Sequence, residues 1–355
     1  MMLQYRARTS PLVSRTSEAA ATCSSEGFPG LECVSGAEDD NKMPTPRGHH
    51  VISKFYLRHF AATDGRITRV DLGGDTVRRV RAHVKSATVV RDLYVIEGWN
   101  GSSPLVEKMF ATTEDKAAKI TARVIRDPAG AWPLDGDSRV VLSHWLSQQF
   151  LRAPLFRLAA ERAIRAGLDS SDRHIHFSDL LERGTVTGDP GDLDRLARRF
   201  GISTKSNPIP ANEYYELLRD HLNPLARHLF EQQWFLGIAK EPSFFVADSP
   251  IVLTTSTVDE SDGVPFQICS LDYLKSRWSW TPFNRNLLIL TRKLPPALLR
   301  ANPDQIIHLS KAQIEQQHML QAANATKSIY EHPDDRFSTD IDPEQWKLLR
   351  SRIDT

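Results

Sequence analysis

Cysteine is scarce in this chain, and the little there is sits badly for structural work. Only Cys23, Cys33 and Cys269 occur, at spacings that match neither a zinc site nor an even disulfide framework. A disulfide-stapled secreted scaffold and a thiolate metal centre are therefore excluded, and a reducing, cytoplasmic setting is expected. Cys269 reads as a small buried residue, since free cysteine is among the most buried residue types. Long apolar runs are missing too. No stretch approaches the roughly 18 consecutive apolar residues that a spanning helix needs, so no membrane association is expected. Charge of one sign is also lacking, with 45 basic residues against 44 acidic. A nucleic-acid partner usually announces itself by a strongly basic domain, and net charge gives it no support here. The Walker, dinucleotide-binding, HExxH, CxxC and GxSxG signatures are all absent.

What is present is an ordinary globular composition, 40% hydrophobic and 25% charged. Residues 1–45 are rich in Ser, Thr, Ala and Gly and lack any period, so they read as a disordered N-terminal extension. Their first seventeen residues carry three Arg and no acid, faintly like a transit peptide. Met43, just before the first patterned segment, is an alternative start of translation. Residues 46–355 read as a single globular domain with a polar excursion at about 169–210, which contains His174 and His176.

Within the domain, ITRVDL and TVRRVRA flank Gly73-Gly74 and predict a hairpin. Helices are predicted over 103–126, over 138–166 with Asp137 or Ser138 as N-cap and Pro154 as a kink or split, and over 211–231 interrupted at Pro224. WFLGIA, SFFVA, IVLTT and LLILTRKL read as strands, and 311–330 as a final amphipathic helix. Strands pair near both ends with a helical core between them, so the fold class is α+β.

A few polar residues stand where packing alone does not explain them. At about 100° per residue, Gln148 and Arg152 share a helix face with Val141, Trp145 and Leu155. A buried amide and guanidinium need partners: a carboxylate, a ligand, or the Phe150 carbonyl that Pro154 frees. His49 and His50 are adjacent, so strand alternation points them to opposite sides. They precede the apolar cluster of Phe55, Tyr56, Leu57 and Phe60. Glu107 and Glu114 lie two turns apart on one helix face, where a solvated role is also natural. Asp248 ends the apolar run SFFVA before Pro250, a place that suits either an active-site carboxylate or a turn.

HHVISKFYLRHF, the helix with Glu107 and Glu114, QQFLRAP, and a Trp followed by SFFVADSPIVL together resemble the domain of unknown function 4238 family, which is mainly microbial. The resemblance covers roughly residues 48–330 and runs through His49, His50, Tyr56, Leu57, Arg58, Phe60, Glu107, Gln149, Arg152, Pro154, Trp234, Asp248 and Pro250. The chain departs from the family pattern at Ser53, where proline is usual, and at Ala247 and Ser249, where Ser and Asn are usual. The family implies no activity.

Two functions stay open. In the first, His50, Glu107, Arg152 and Asp248 converge as catalytic groups around a divalent metal. They act on a phosphoester, as in a nuclease or phosphohydrolase, with His49, Tyr56, Arg58, Gln148 and Gln149 binding the ligand. In the second, the protein is a non-enzymatic binding or regulatory module, and the same residues form a buried structural network.

Overall fold

Helical spacing and strand alternation explain most of the elements that form. The computed structural model describes residues 48–72, 77–91, 105–165, 211–255, 268–269, 271–301 and 303–337. All of them belong to one unit spanning Thr45–Thr355. The N-terminal extension, the 169–210 excursion with its two histidines, and Cys23 and Cys33 lie outside the described residues.

Strand β1 (Gly48–His50) leads into α1 (Lys54–Leu57) and a 3-10 turn at Arg58–Phe60, which bury Tyr56, Leu57 and Phe60 and leave Arg58 exposed. The predicted hairpin forms, β2 (Arg66–Asp71) pairing antiparallel with β3 (Arg78–His83). Its two turn glycines are outside the described residues. Gly65 enters it at φ 75°, and a Cβ there would lie 2.9 Å from the His83 imidazole, so glycine is required. β4 (Val89–Arg91) pairs with β1.

Helix α2 (Leu105–Arg126) buries Phe110, Ala117, Thr121 and Val124, a stripe at helical spacing. α3 (Pro128–Ala131) is followed by α4 (Gly136–Leu151), whose cap falls earlier than expected, at Asp135. The Asp135 carboxylate accepts from the Ser138 N–H at 2.7 Å, and this backbone hydrogen bond leads the contributions that hold its pKa down to about 2. Pro154 splits the predicted long helix. α4 ends at Leu151, and α5 (Pro154–Arg165) uses the proline as its first residue, where a missing N–H leaves no bond unmade. In α6 (Ala211–Phe230), Pro224 lies inside a continuous helix instead of interrupting it. Burial of Leu217, Leu218, Leu222, Leu225 and Leu229 outweighs the one lost backbone bond.

The remaining strands are β5 (Gln233–Ile238), β6 (Val246–Ala247), β7 (Val252–Thr254), β8 (Trp278–Pro282) and β9 (Leu287–Arg292). α7 (Pro296–Ala301), β10 (Gln305–His308), α8 (Lys311–Asn324) and β11 (Ser328–Glu331) complete the described chain. The last helix stops at Asn324 and not at 330. Ala325 is extended, and residues 328–331 are drawn into a strand between β2 and β6. Two larger sheets result, ordered β10-β5-β9-β8-β7 and β3-β2-β11-β6. Every strand pair is antiparallel except β10 along β5. The class is α+β.

Trp145 and Trp234 anchor the main core, in which α4 packs on α2 and α6. The four-stranded sheet sends Ile67, Tyr330 and Val246 into that core and Val70, Ile329 and Ala247 into a second cluster with Phe245 and Ala322. His228 joins α6 to the five-stranded sheet. Its Nε2 lies 2.9 Å from the Ser276 hydroxyl and 2.9 Å from the Gln232 amide nitrogen, and Gln232 in turn accepts from Thr291. Burial, with help from the charge of Lys293, lowers its pKa to about 4 from the ordinary 6.5. Below pH 6.5 the unfolded chain takes up a proton that the folded protein refuses. This contribution to stability is therefore complete above pH 6.5 and is lost as pH falls toward 4. The loss is on the order of 3 kcal/mol. Urea unfolding of wild type and His228→Gln at pH 7 and pH 4.5 measures it, and the variant should show the smaller fall.

Candidate functional site

α4 is buried on all sides from Trp145 to Leu151, so its polar residues there have no route to water. The segment that precedes α1 meets them. Ser53, fully buried, donates its hydroxyl to Glu114 Oε1 at 2.8 Å and receives Trp145 Nε1 at 3.1 Å and Gln149 Nε2 at 2.7 Å. Arg152 Nη2 reaches the same hydroxyl and also donates to Glu114 Oε1 at 2.6 Å. Gln149 grips the backbone as well, its Oε1 accepting from the Ser53 N–H at 3.0 Å. Three donors thus share the two lone pairs of one hydroxyl, whose own O–H donates to the Glu114 carboxylate. The Arg152 guanidinium lies over the Phe110 ring, 5.3 Å from its centroid. Arg152 is 3% exposed, whereas the Glu114 side chain is 23% exposed, so the cluster reaches solvent through its carboxylate.

Gln148 turns to α2 and donates to the Thr113 hydroxyl at 3.0 Å. Gln148 Oε1 and Arg152 Nε are buried without hydrogen-bond partners, and such an atom costs about 1–3 kcal/mol. Arg152 does not bond the Phe150 carbonyl with its side chain. That carbonyl is taken by the Ala153 N–H at 3.2 Å.

Asp248 lies in a different cluster. Its Oδ1 accepts from the Thr326 N–H at 2.9 Å. Its Oδ2 accepts from the Thr326 hydroxyl at 2.8 Å, the Lys327 N–H at 2.7 Å and the Ser328 N–H at 3.1 Å. Burial raises its pKa, and these four bonds work against that rise. The carboxylate fixes the turn that delivers the chain from α8 into β11.

Of the four expected catalytic residues, Arg152 bonds Ser53 and Glu114, and Asp248 bonds residues 326–328. The two residues have no hydrogen-bond partner in common among the described residues. His50 places Nδ1 3.5 Å from the Thr88 hydroxyl, and Glu107 is in the first turn of α2 with its side chain outside the described residues. His49 is buried. Tyr56 donates its hydroxyl to the Pro282 carbonyl, tying α1 to β8, and Arg58 faces solvent. The fold does bring together Gln149 and Arg152, with Ser53, Glu114 and Trp145 as partners. Glu114 was detectable in sequence as an acid within the 110/114/117/121 stripe, whereas nothing in the residue type of Ser53 marks it as a hub. Among the described residues, no three His, Cys, Asp or Glu are placed to hold a metal ion, and no helix is long and apolar enough to cross a membrane.

Both clusters lie within residues 48–335, the stretch matched by the model of the family described as protein of unknown function, DUF4238. The chain belongs to the DUF4238 family. No curated protein and no solved structure matches it. In this DUF4238 chain the family segments around Ser53 and Gln149 meet in one cluster, and the segment around Asp248 meets the turn before β11.

Replacing Ser53 by Ala leaves the Trp145 and Gln149 donors without an acceptor. It should cost about 1–3 kcal/mol in urea unfolding, while Arg58→Ala on the exposed face should stay within about 0.5 kcal/mol.

Proposed function

We propose that this DUF4238 protein is a non-enzymatic binding or regulatory module. Its His, Gln, Arg and Asp motifs are the framework that fixes the fold, and its function resides on a surface. The observation that carries this reading is the Asp248 carboxylate. Four donors from residues 326–328 converge on it, one at Oδ1 and three at Oδ2. Gln149 bonds Ser53, and Arg152 bonds Ser53 and Glu114 through Nη2. A cytoplasmic setting accords with Cys269, a free buried thiol whose pKa is pushed up by burial, which makes it a packing residue and a poor nucleophile.

A catalytic reading draws on one observation, the partly exposed Glu114 beside Arg152. A phosphoester and a divalent metal would gather at that edge. Turnover of bis(p-nitrophenyl) phosphate with Mg²⁺ or Mn²⁺, lost in Arg152→Lys, is the result it requires.

The framework reading is tested with Asp248→Asn, which turns one acceptor into a donor facing other donors. The expected loss is about 3 kcal/mol in chemical unfolding, equal in EDTA and in Mn²⁺. A variant that keeps the wild-type unfolding midpoint would sink the reading.

A further inference from the structure

The β2–β3 hairpin concentrates charge in a chain that is otherwise neutral. From Asp64 to Lys85 there are Arg66, Arg69, Arg78, Arg79, Arg81 and Lys85 against Asp64, Asp71 and Asp75. Three of these arginines are answered within the fold. Arg66 pairs with Asp64, Arg69 with Asp71, and Arg79 with the buried Glu331. Arg78, Arg81 and Lys85 are exposed and form no salt bridge among the described residues. Among the described residues β3 is also the outermost strand of its sheet, hydrogen-bonded to β2 on one side only. Its other edge offers backbone N–H and C=O groups for pairing.

The register sorts the side chains of β3. Arg79, Arg81 and His83 stand opposite Val70, Thr68 and Arg66 on one face. Val80 and Ala82 stand opposite Arg69 and Ile67 on the other, with Arg78 opposite Asp71, and Ala82 packs against the main core. We propose that β3 is the docking edge for an acidic, extended segment of a partner protein, which adds to the sheet as a further strand with acids on the arginine face and apolar residues on the core face. The proposal rests on the reading of the protein as a binding module and names its partner.

Three arguments select this occupant. A second copy of β3 is disfavoured in the registers that set Arg79 against Arg81, since like charges directly opposite are destabilising. Charged edges of this kind guard a sheet against its own copies, and the same charges admit a strand of opposite sign. Single-stranded nucleic acid is disfavoured, since binding it calls for stacking platforms and no Phe, Tyr or Trp occurs between Arg66 and Arg91. Strand addition takes its affinity from main-chain hydrogen bonds and its specificity from alternate side chains, which is what β3 presents.

The probe is a capped hexapeptide alternating Glu and Val, titrated into the full chain by calorimetry. Controls are a Lys/Val peptide, a Glu/Val peptide with prolines in place of the valines, and a thymidine oligonucleotide. Binding of the Glu/Val peptide alone is expected. It should weaken with salt and fall at least about tenfold in Arg81→Glu. Arg81 is exposed, and an unchanged thermal unfolding midpoint certifies the fold. Equal binding of the proline peptide or the oligonucleotide would reduce the effect to unspecific charge attraction and overturn the proposal, as would no binding at millimolar peptide. Peptide binding and the unfolding of Asp248→Asn are independent readouts, so the partner and the framework can fail separately.

Discussion

The constraint on which the rest of the structure depends is that the C-terminal half of α4 is enclosed on every side. A helix so placed cannot send an amide or a guanidinium to water, and its polar groups must be met inside. Ser53 and Glu114 meet them, and in doing so they lock the segment before α1 and the middle of α2 onto one turn of α4. Tyr56, three residues on, extends the lock to β8 through the Pro282 carbonyl. The N-terminal motif is thereby held to both the helical layer and the five-stranded sheet.

A second closure joins the two ends of the described chain. β11 lies between β2 and β6, so a strand near residue 330 completes a sheet begun near residue 66. Asp248 sets the turn that allows it, and charge pairs fasten its far end. Arg79 meets Glu331, and Arg285 forks onto Asp335 with contacts of 2.9 and 2.5 Å. Arg139 does similar work between α4 and the other sheet, bonding Asp304 and the Phe230 and Gln232 carbonyls. Removing one member of such a pair leaves a buried charge unanswered, which costs more than the pair contributes when intact. Interiors of this kind are specific because alternative arrangements strand a charge.

Local pattern made much of the architecture legible. β2, β3, β5 and β9 follow from short β-rich runs, and α2 from apolar spacing, because each depends on the preferences of neighbouring residues. Strands β8 and β10 were not legible. Gln305–His308 is a strand only because β5 lies beside it in parallel, a neighbour some seventy residues back. Residues 325–330 read as the tail of a helix and became a turn and a strand for the same reason. Pairing with β2 and β6 and the bonds to Asp248 outweigh the helical propensity of one turn.

The sequence by itself determined that Gln148 and Arg152 need partners, since polar groups set on an apolar helix face must be satisfied wherever the chain goes. It also determined the class, the hairpin and the lack of a cysteine framework. Which partner each residue found was decided by tertiary structure alone. Ser53 meets Arg152 across 99 residues of chain, and Asp248 is held mostly by backbone N–H groups 78 to 80 residues away. Backbone N–H groups are common to every residue but proline, so no residue type could announce them. Only the closing of the sheet aims three of them at one carboxylate.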